Sequence, residues 1–235
     1  MSGERLTIKT PDGSFTAYVA RPKAEKAPAV VVIQEIFGVN QVMRDITDGL
    51  AGQGYLAICP DLFWRIEPGI DITDKSEAEW KRAFELFNAF DVAAGVGDIQ
   101  ATINAIRADP GSNGKVGSVG FCLGGLLAYL TATRTDVDAA VSYYGVGIDK
   151  QLTETVNHPL MMHVACEDGF VPKEAQAAIH AALDANPRVT IHDYPGRDHA
   201  FARMGGEHYD AADAQKAGER SLAFFKANLG QDRGG

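Results

Sequence analysis

Only three cysteines occur in the 235 residues, Cys59, Cys122 and Cys166, and no two of them stand in a C-x-x-C spacing. That argues against a disulfide framework or a zinc site. Apolar runs are short, and none reaches the ~18 residues that a membrane span needs. Basic runs are absent, and the formal net charge is -9, so neither a nucleic acid nor an anionic membrane surface is an expected partner. The opening MSGERLTIKT lacks an apolar h-region, so we expect no secretory signal and a reducing, cytoplasmic setting. No repeat, low-complexity segment or shift in composition divides the chain. Residues 1–235 are therefore expected to form one domain, with a monomer as the default because no exposed apolar stripe is evident.

What the sequence does have is an alternation of strand and helix signals. RLTIKT and FTAYVA flank the turn residues PDGS, which predicts a β-hairpin over residues 5–20. APAVVVIQEIFG holds the continuous β-branched run of a strand covered on both faces. Asn40 is placed to cap a helix that Gly54 ends, and YLAICPDLF reads as the next strand. Residues 65–75 have no regular pattern. Ser76 and Glu79 make a capping-box pair, and Asp91 can cap a further helix to about Arg107. GKVGSVGF, VDAAVSYYG, HPLMMHVACED and RVTIHDYPG are four more strands, Pro172 suits a helical first turn, and residues 207–229 suit a closing helix. Such alternation predicts an α/β fold: a mainly parallel central sheet with helices on both faces and an antiparallel hairpin at one edge.

In sheets of this kind chemistry gathers at the carboxyl ends of the strands. Four strand ends here carry reactive residues: Glu35, Cys122, Asp168 and His199. Cys122 sits in GFCLGG, between a strand and the start of a helix. Gly120, Gly124 and Gly125 let strand and helix approach closely there. A helix N-terminus at that point favours a thiolate and, later, an oxyanion. His199 can exchange a proton with the thiol, and Asp168 can fix its tautomer. Asp61, in CPDLF, is the rival acid, although that segment reads more naturally as a strand exit. Cys59 and Cys166 read as strand filler, and His163 and His192 as strand residues. His158 precedes Pro159 in a loop, and His180 and His208 fall in helical patterns.

With these residues in order, the chain resembles the dienelactone hydrolase (carboxymethylenebutenolidase) family. The resemblance runs over roughly residues 5–229 and is carried by QEIFGVN, GYLAICPDLF, AFDVAAGVGDI, SNGKVGSVGFCLGG, YYGVG and GRDHAFAR. It implies an α/β-hydrolase fold and hydrolysis of a carboxylic ester or lactone without metal or cofactor, through a triad of Cys122, Asp168 and His199. It further implies an oxyanion hole at the backbone N–H groups of Ile36 and Leu123. Glu35 would lie beside a resting neutral thiol and be shifted by substrate, activating it. Family members that take dienelactone hold its carboxylate with arginines. Arg203 matches one of them. The second aligns with Trp80, so Lys81 or Arg82 would have to substitute, or Trp80 and Phe84 would line a more apolar pocket. Phe87, on the same helix face, reads as core. A promiscuous esterase or thioesterase, or an activated phosphate-ester hydrolase, fits the same site, and two other classes remain open: a hydrolase fold kept only for binding, against which the intact triad speaks, and a redox-sensing thiol, which would require a resolving cysteine such as Cys166.

Overall fold

A tight turn at Pro11 and Asp12 joins β1 (Glu4–Thr10) to β2 (Gly13–Ala20) as an antiparallel hairpin. The computed structural model describes residues 3–230. β3 (Ala27–Ile33), β4 (Leu56–Pro60), β6 (Ala139–Tyr143) and β7 (Leu160–Ala165) are buried at every position, as strands covered on both faces must be. With β5 (Ser112–Phe121) and β8 (Val189–Tyr194) they form one eight-stranded sheet in the order β1-β2-β4-β3-β5-β6-β7-β8. β2 runs antiparallel to both β1 and β4, and the remaining pairings are parallel.

The expected caps are in place. Asn40, Ser76 and Asp91 accept the Met43, Glu79 and Ala94 N–H groups at the starts of α1 (Gln41–Gly52), α2 (Glu77–Ala89) and α3 (Val92–Arg107). The Glu79 carboxylate also takes the Ser76 hydroxyl at 2.8 Å and the Thr73 N–H at 2.9 Å, which ties α2 to the irregular segment before it. That segment is fastened further by a bridge between Gly38 and Asp71. Pro172 occupies the cap of α5 (Lys173–Leu183) rather than its first turn. The closing helix α6 (Ala211–Leu229) starts later than residue 207, because the Asp210 side chain caps it by accepting the Asp213 N–H at 2.9 Å.

α4 (Leu123–Arg134) is buried at every residue except Arg134, the signature of a helix enclosed on all sides. Neighbouring residues on β5 show how the sheet is covered. Gly117 faces Phe225 of α6, whereas the Ser118 hydroxyl meets Thr131 of α4 at 2.7 Å. Successive strand residues point to opposite faces, so α4 and α6 lie on opposite sides of the sheet. Among the described residues no helix is long and apolar enough to cross a membrane.

Candidate active site

Between β5 and α4 the chain turns at a single residue, Cys122, with φ 59° and ψ -115°. A side chain in that region of the backbone map costs on the order of 1–3 kcal/mol and persists only where the surroundings enforce it. Here they do. The Cys122 N–H donates to the Tyr143 carbonyl at 3.1 Å, and the Cys122 carbonyl accepts from Gly125 at 2.9 Å and Leu126 at 3.2 Å. The turn is tight enough to require glycine on both sides. A Cβ at Gly120 would lie 1.8 Å from the Gly124 carbonyl oxygen, and one at Gly124 would lie 2.3 Å from the Ile33 carbonyl oxygen. Leu123 is the first residue of α4, so its N–H has no acceptor within the helix.

His199 is buried. Its Nδ1 meets Asp168 Oδ2 at 2.8 Å, while Asp168 Oδ1 accepts the Phe170 and Val171 N–H groups at 2.8 and 3.1 Å. A carboxylate acceptor there places the imidazole hydrogen on Nδ1. The other ring nitrogen, Nε2, is buried without a hydrogen-bond partner. Tyr144 and Phe170 stand edge-on to the ring, with centroids 5.1 and 4.9 Å away. Burial pulls the His199 pKa down, but the charge of Cys122 and then the hydrogen bond to Asp168 outweigh it and raise it to about 10. Asp61, the rival acid, instead accepts the Phe63 and Gly69 N–H groups at 3.1 and 2.7 Å and organises the loop after β4.

Beside the thiol lies a buried ionic chain. Arg203 donates from Nε to Glu35 Oε2 at 2.9 Å and from Nη2 to Oε1 at 3.0 Å, a bidentate pair. Its Nη1 donates to Asp74 Oδ2 at 3.1 Å. Glu35 is 1% exposed and Arg203 8%. Their charges balance within the protein, so Glu35 does not stand free beside Cys122.

Cys122, His199 and Arg203 open onto a cavity of about 370 Å³ whose walls include Trp80, Phe84 and Phe170. The aromatic rings form a continuous surface, Trp80 stacked on Phe84 at 5.6 Å and Phe84 against Phe170 at 6.4 Å. A second, outer lobe shares Trp80, Phe84, Phe170, His199 and Arg203, and is walled beyond them by Asp74 and Lys75.

The structure therefore brings Ile36, Trp80, Phe84, Cys122, His199 and Arg203 to one cavity, with Asp168 and Glu35 directly behind. Phe87 also lines it while packing against the core. Lys81 and Arg82 do not line either lobe; Arg82 pairs with Glu67 and Glu85 at the surface. Trp80 and Phe84 have taken the cavity face of α2, and successive helical residues point ~100° away from it. Contributors not evident from sequence include Asp74, Lys150, Phe170 and Tyr144. Phe170 follows Asp168 closely enough to have been suspected. Tyr144, within YYGVG, has a φ of 37° and a buried hydroxyl without a partner, neither of which a sequence pattern signals. Among the described residues no cluster of three or more His, Cys, Asp or Glu could hold a metal ion.

Comparison with known proteins gives a consistent result. The model of the "Dienelactone hydrolase family" matches residues 15–229. The Azospirillum brasilense protein named "Putative carboxymethylenebutenolidase" is 52% identical, with 93% of this chain and 96% of the relative covered. The carboxymethylenebutenolidase of Pseudomonas putida is 45% identical, covering 96% and 97%. A crystal structure titled "Putative Dienelactone Hydrolase", from Klebsiella pneumoniae subsp. pneumoniae MGH 78578, superposes with a TM-score of 0.83 at 28% identity, covering 95% of this chain and 97% of that one. The fold is that of the α/β-hydrolases, the activity class is ester or lactone hydrolysis, and the chain belongs to the dienelactone hydrolase family.

Proposed function

We propose that this chain hydrolyses carboxylic esters or lactones by transferring the acyl group to Cys122. The observation that carries the proposal is the His199 ring. Asp168 holds Nδ1, and Nε2 is left buried and unpartnered in the cavity that Cys122 lines. In this reading the proton of the Cys122 thiol passes to Nε2, forming the thiolate–imidazolium pair whose charge holds the His199 pKa up, and the thiolate attacks the carbonyl carbon. The C=O oxygen becomes an oxyanion facing the N–H groups of Leu123 and Ile36, at the N-terminus of α4. Collapse breaks the C–O bond, and the leaving oxygen recovers the proton from His199. Water then gives a proton to His199 and attacks the thioester, and the C–S bond breaks to restore Cys122. Asp168 holds the ring in one tautomer throughout.

Glu35 is the alternative acceptor of the thiol proton in this reading. Both of its oxygens are engaged by Arg203 at rest, so it acts on the thiol only when that pair opens. The apolar wall of Trp80, Phe84 and Phe170 favours an unsaturated lactone ring or an aryl ester over an aliphatic one. The test is a p-nitrophenyl ester followed by rapid acid quench and peptide mass spectrometry. We expect an acyl mass on the Cys122 peptide, and no turnover from Cys122→Ala. Full activity in that variant would overturn the proposal.

A further inference from the structure

Arg203 is the guanidinium that lines both lobes beside His199, and its charge is already matched from within. Glu35 takes two of its donors and Asp74 a third. Lys75 lies 3.2 Å from Asp74, so these four groups, two cations and two anions, carry no net charge. Asp74 does not reach Arg203 by chance of a loose side chain. Its backbone carbonyl accepts the Trp80 Nε1–H at 3.0 Å, and its neighbour Thr73 is held by Glu79. The carboxylate itself is only 11% exposed, and it forms part of the outer lobe next to Arg203.

We propose that Asp74 is a specificity-determining residue. It occupies the outward donor of Arg203, so that the site takes esters and lactones uncharged at the end facing the outer lobe and discriminates against those with a carboxylate there. This inference rests on the hydrolytic reading of the site. The physical reason is direct. A substrate carboxylate approaching Nη1 meets the like charge of Asp74 and must displace it, which would leave a largely buried anion with only the exposed Lys75 as its partner. An uncharged group meets no such cost, and the aromatic wall receives it.

One other cation lines the inner lobe, Lys150, on a short 3-10 turn (Ile148–Gln151) after β6. An anion drawn to Lys150 alone would be indifferent to Asp74, and the test separates the two.

The experiment compares a butenolide bearing a free carboxymethylene group with its methyl ester, in wild type, Asp74→Ala, Asp74→Asn and Lys150→Ala. The acid-to-ester ratio of kcat/KM is read within each variant, so a general loss of activity cancels. We expect a ratio at or below about one in wild type and at least tenfold higher in Asp74→Ala, about 1.4 kcal/mol in transition-state binding. Asp74→Asn, which removes the charge but keeps an acceptor, should fall between. A ratio above about 100 in wild type, an unchanged ratio in folded Asp74→Ala, or a ratio that responds only to Lys150→Ala would overturn the proposal. Calorimetric binding of phenylacetate gives a readout independent of turnover. If neither butenolide is hydrolysed, the hydrolytic reading fails. An affinity for phenylacetate that is nevertheless tenfold tighter in Asp74→Ala would still support the role of Asp74, and an unchanged affinity would refute it.

Discussion

Gly124→Ala probes the close approach on which the candidate site depends. The new Cβ would stand 2.3 Å from the Ile33 carbonyl oxygen and 2.5 Å from that of Gln34. Both are backbone atoms, so no flexible side chain can yield. Reaching even the 3.0 Å limit of real Cβ contacts requires the end of β3 and the start of α4 to part by 3.0 − 2.3 = 0.7 Å. Those two segments carry Ile36 and Leu123, the proposed oxyanion donors, and also Glu35 and Cys122. A misplacement approaching 1 Å costs on the order of 10²-fold in rate, and overpacking costs about 1–3 kcal/mol in stability. We therefore expect kcat/KM for a p-nitrophenyl ester to fall by roughly 10²-fold, and the melting temperature by about 2–4 °C for each kcal/mol lost. Gly97→Ala is the control: it is exposed on α3, nothing lies within 4 Å of the added methyl, and it should stabilise the protein by about 0.5–1 kcal/mol with activity intact. A Gly124→Ala enzyme within threefold of wild type at an unchanged melting temperature would refute the argument that backbone contact sets the site.

Asp168→Asn should reduce kcat/KM by roughly 10³-fold or more, because the amide favours the tautomer with hydrogen on Nε2, which cannot accept the thiol proton; steady-state kinetics with near-native melting would check it. His199 should titrate in NMR near its raised value of about 10. Since its folded pKa exceeds the ordinary 6.5, the protonated ring stabilises the fold fully below pH 6.5, and that contribution is lost as pH rises through about 10. Cys122→Ala removes one of the charges that raise it, so an unchanged ring titration in that variant would contradict the assignment. Iodoacetamide should label Cys122 but not native Cys59, whose thiol is driven far up by complete burial and then by the nearby Asp61 carboxylate; equal labelling would sink that reading.

Much of this arrangement was legible in the sequence because it follows from local chemistry. Asn40, Ser76 and Asp91 cap helices through their own side chains, and the glycines around Cys122 mark a turn that only glycine permits. Asp168 is preferred to Asp61 from sequence because CPDLF reads as a strand exit and Asp168 completes the order nucleophile, acid, histidine. The segment 65–75 was opaque for a physical reason. Its course depends on Gly38, Asp61 and Glu79 elsewhere in the chain, so nothing in its own pattern places Asp74 against Arg203. The outward turn of Arg82 depends likewise on which face of α2 packs inward, and Trp80 and Phe84 decide that only once the opposing wall exists.

The burial of α4 from Leu123 to Thr133 bears on how this enzyme fails when heated. Cys122 is joined to β6 through the Tyr143 carbonyl, and Gly124 is wedged against the end of β3, both strands of the sheet interior. Tied in this way to two interior strands, the turn itself is expected to loosen only together with the sheet. Loss of the Cys122 turn and loss of the sheet should coincide on heating, whereas His199, on the loop after the edge strand β8, can be displaced earlier.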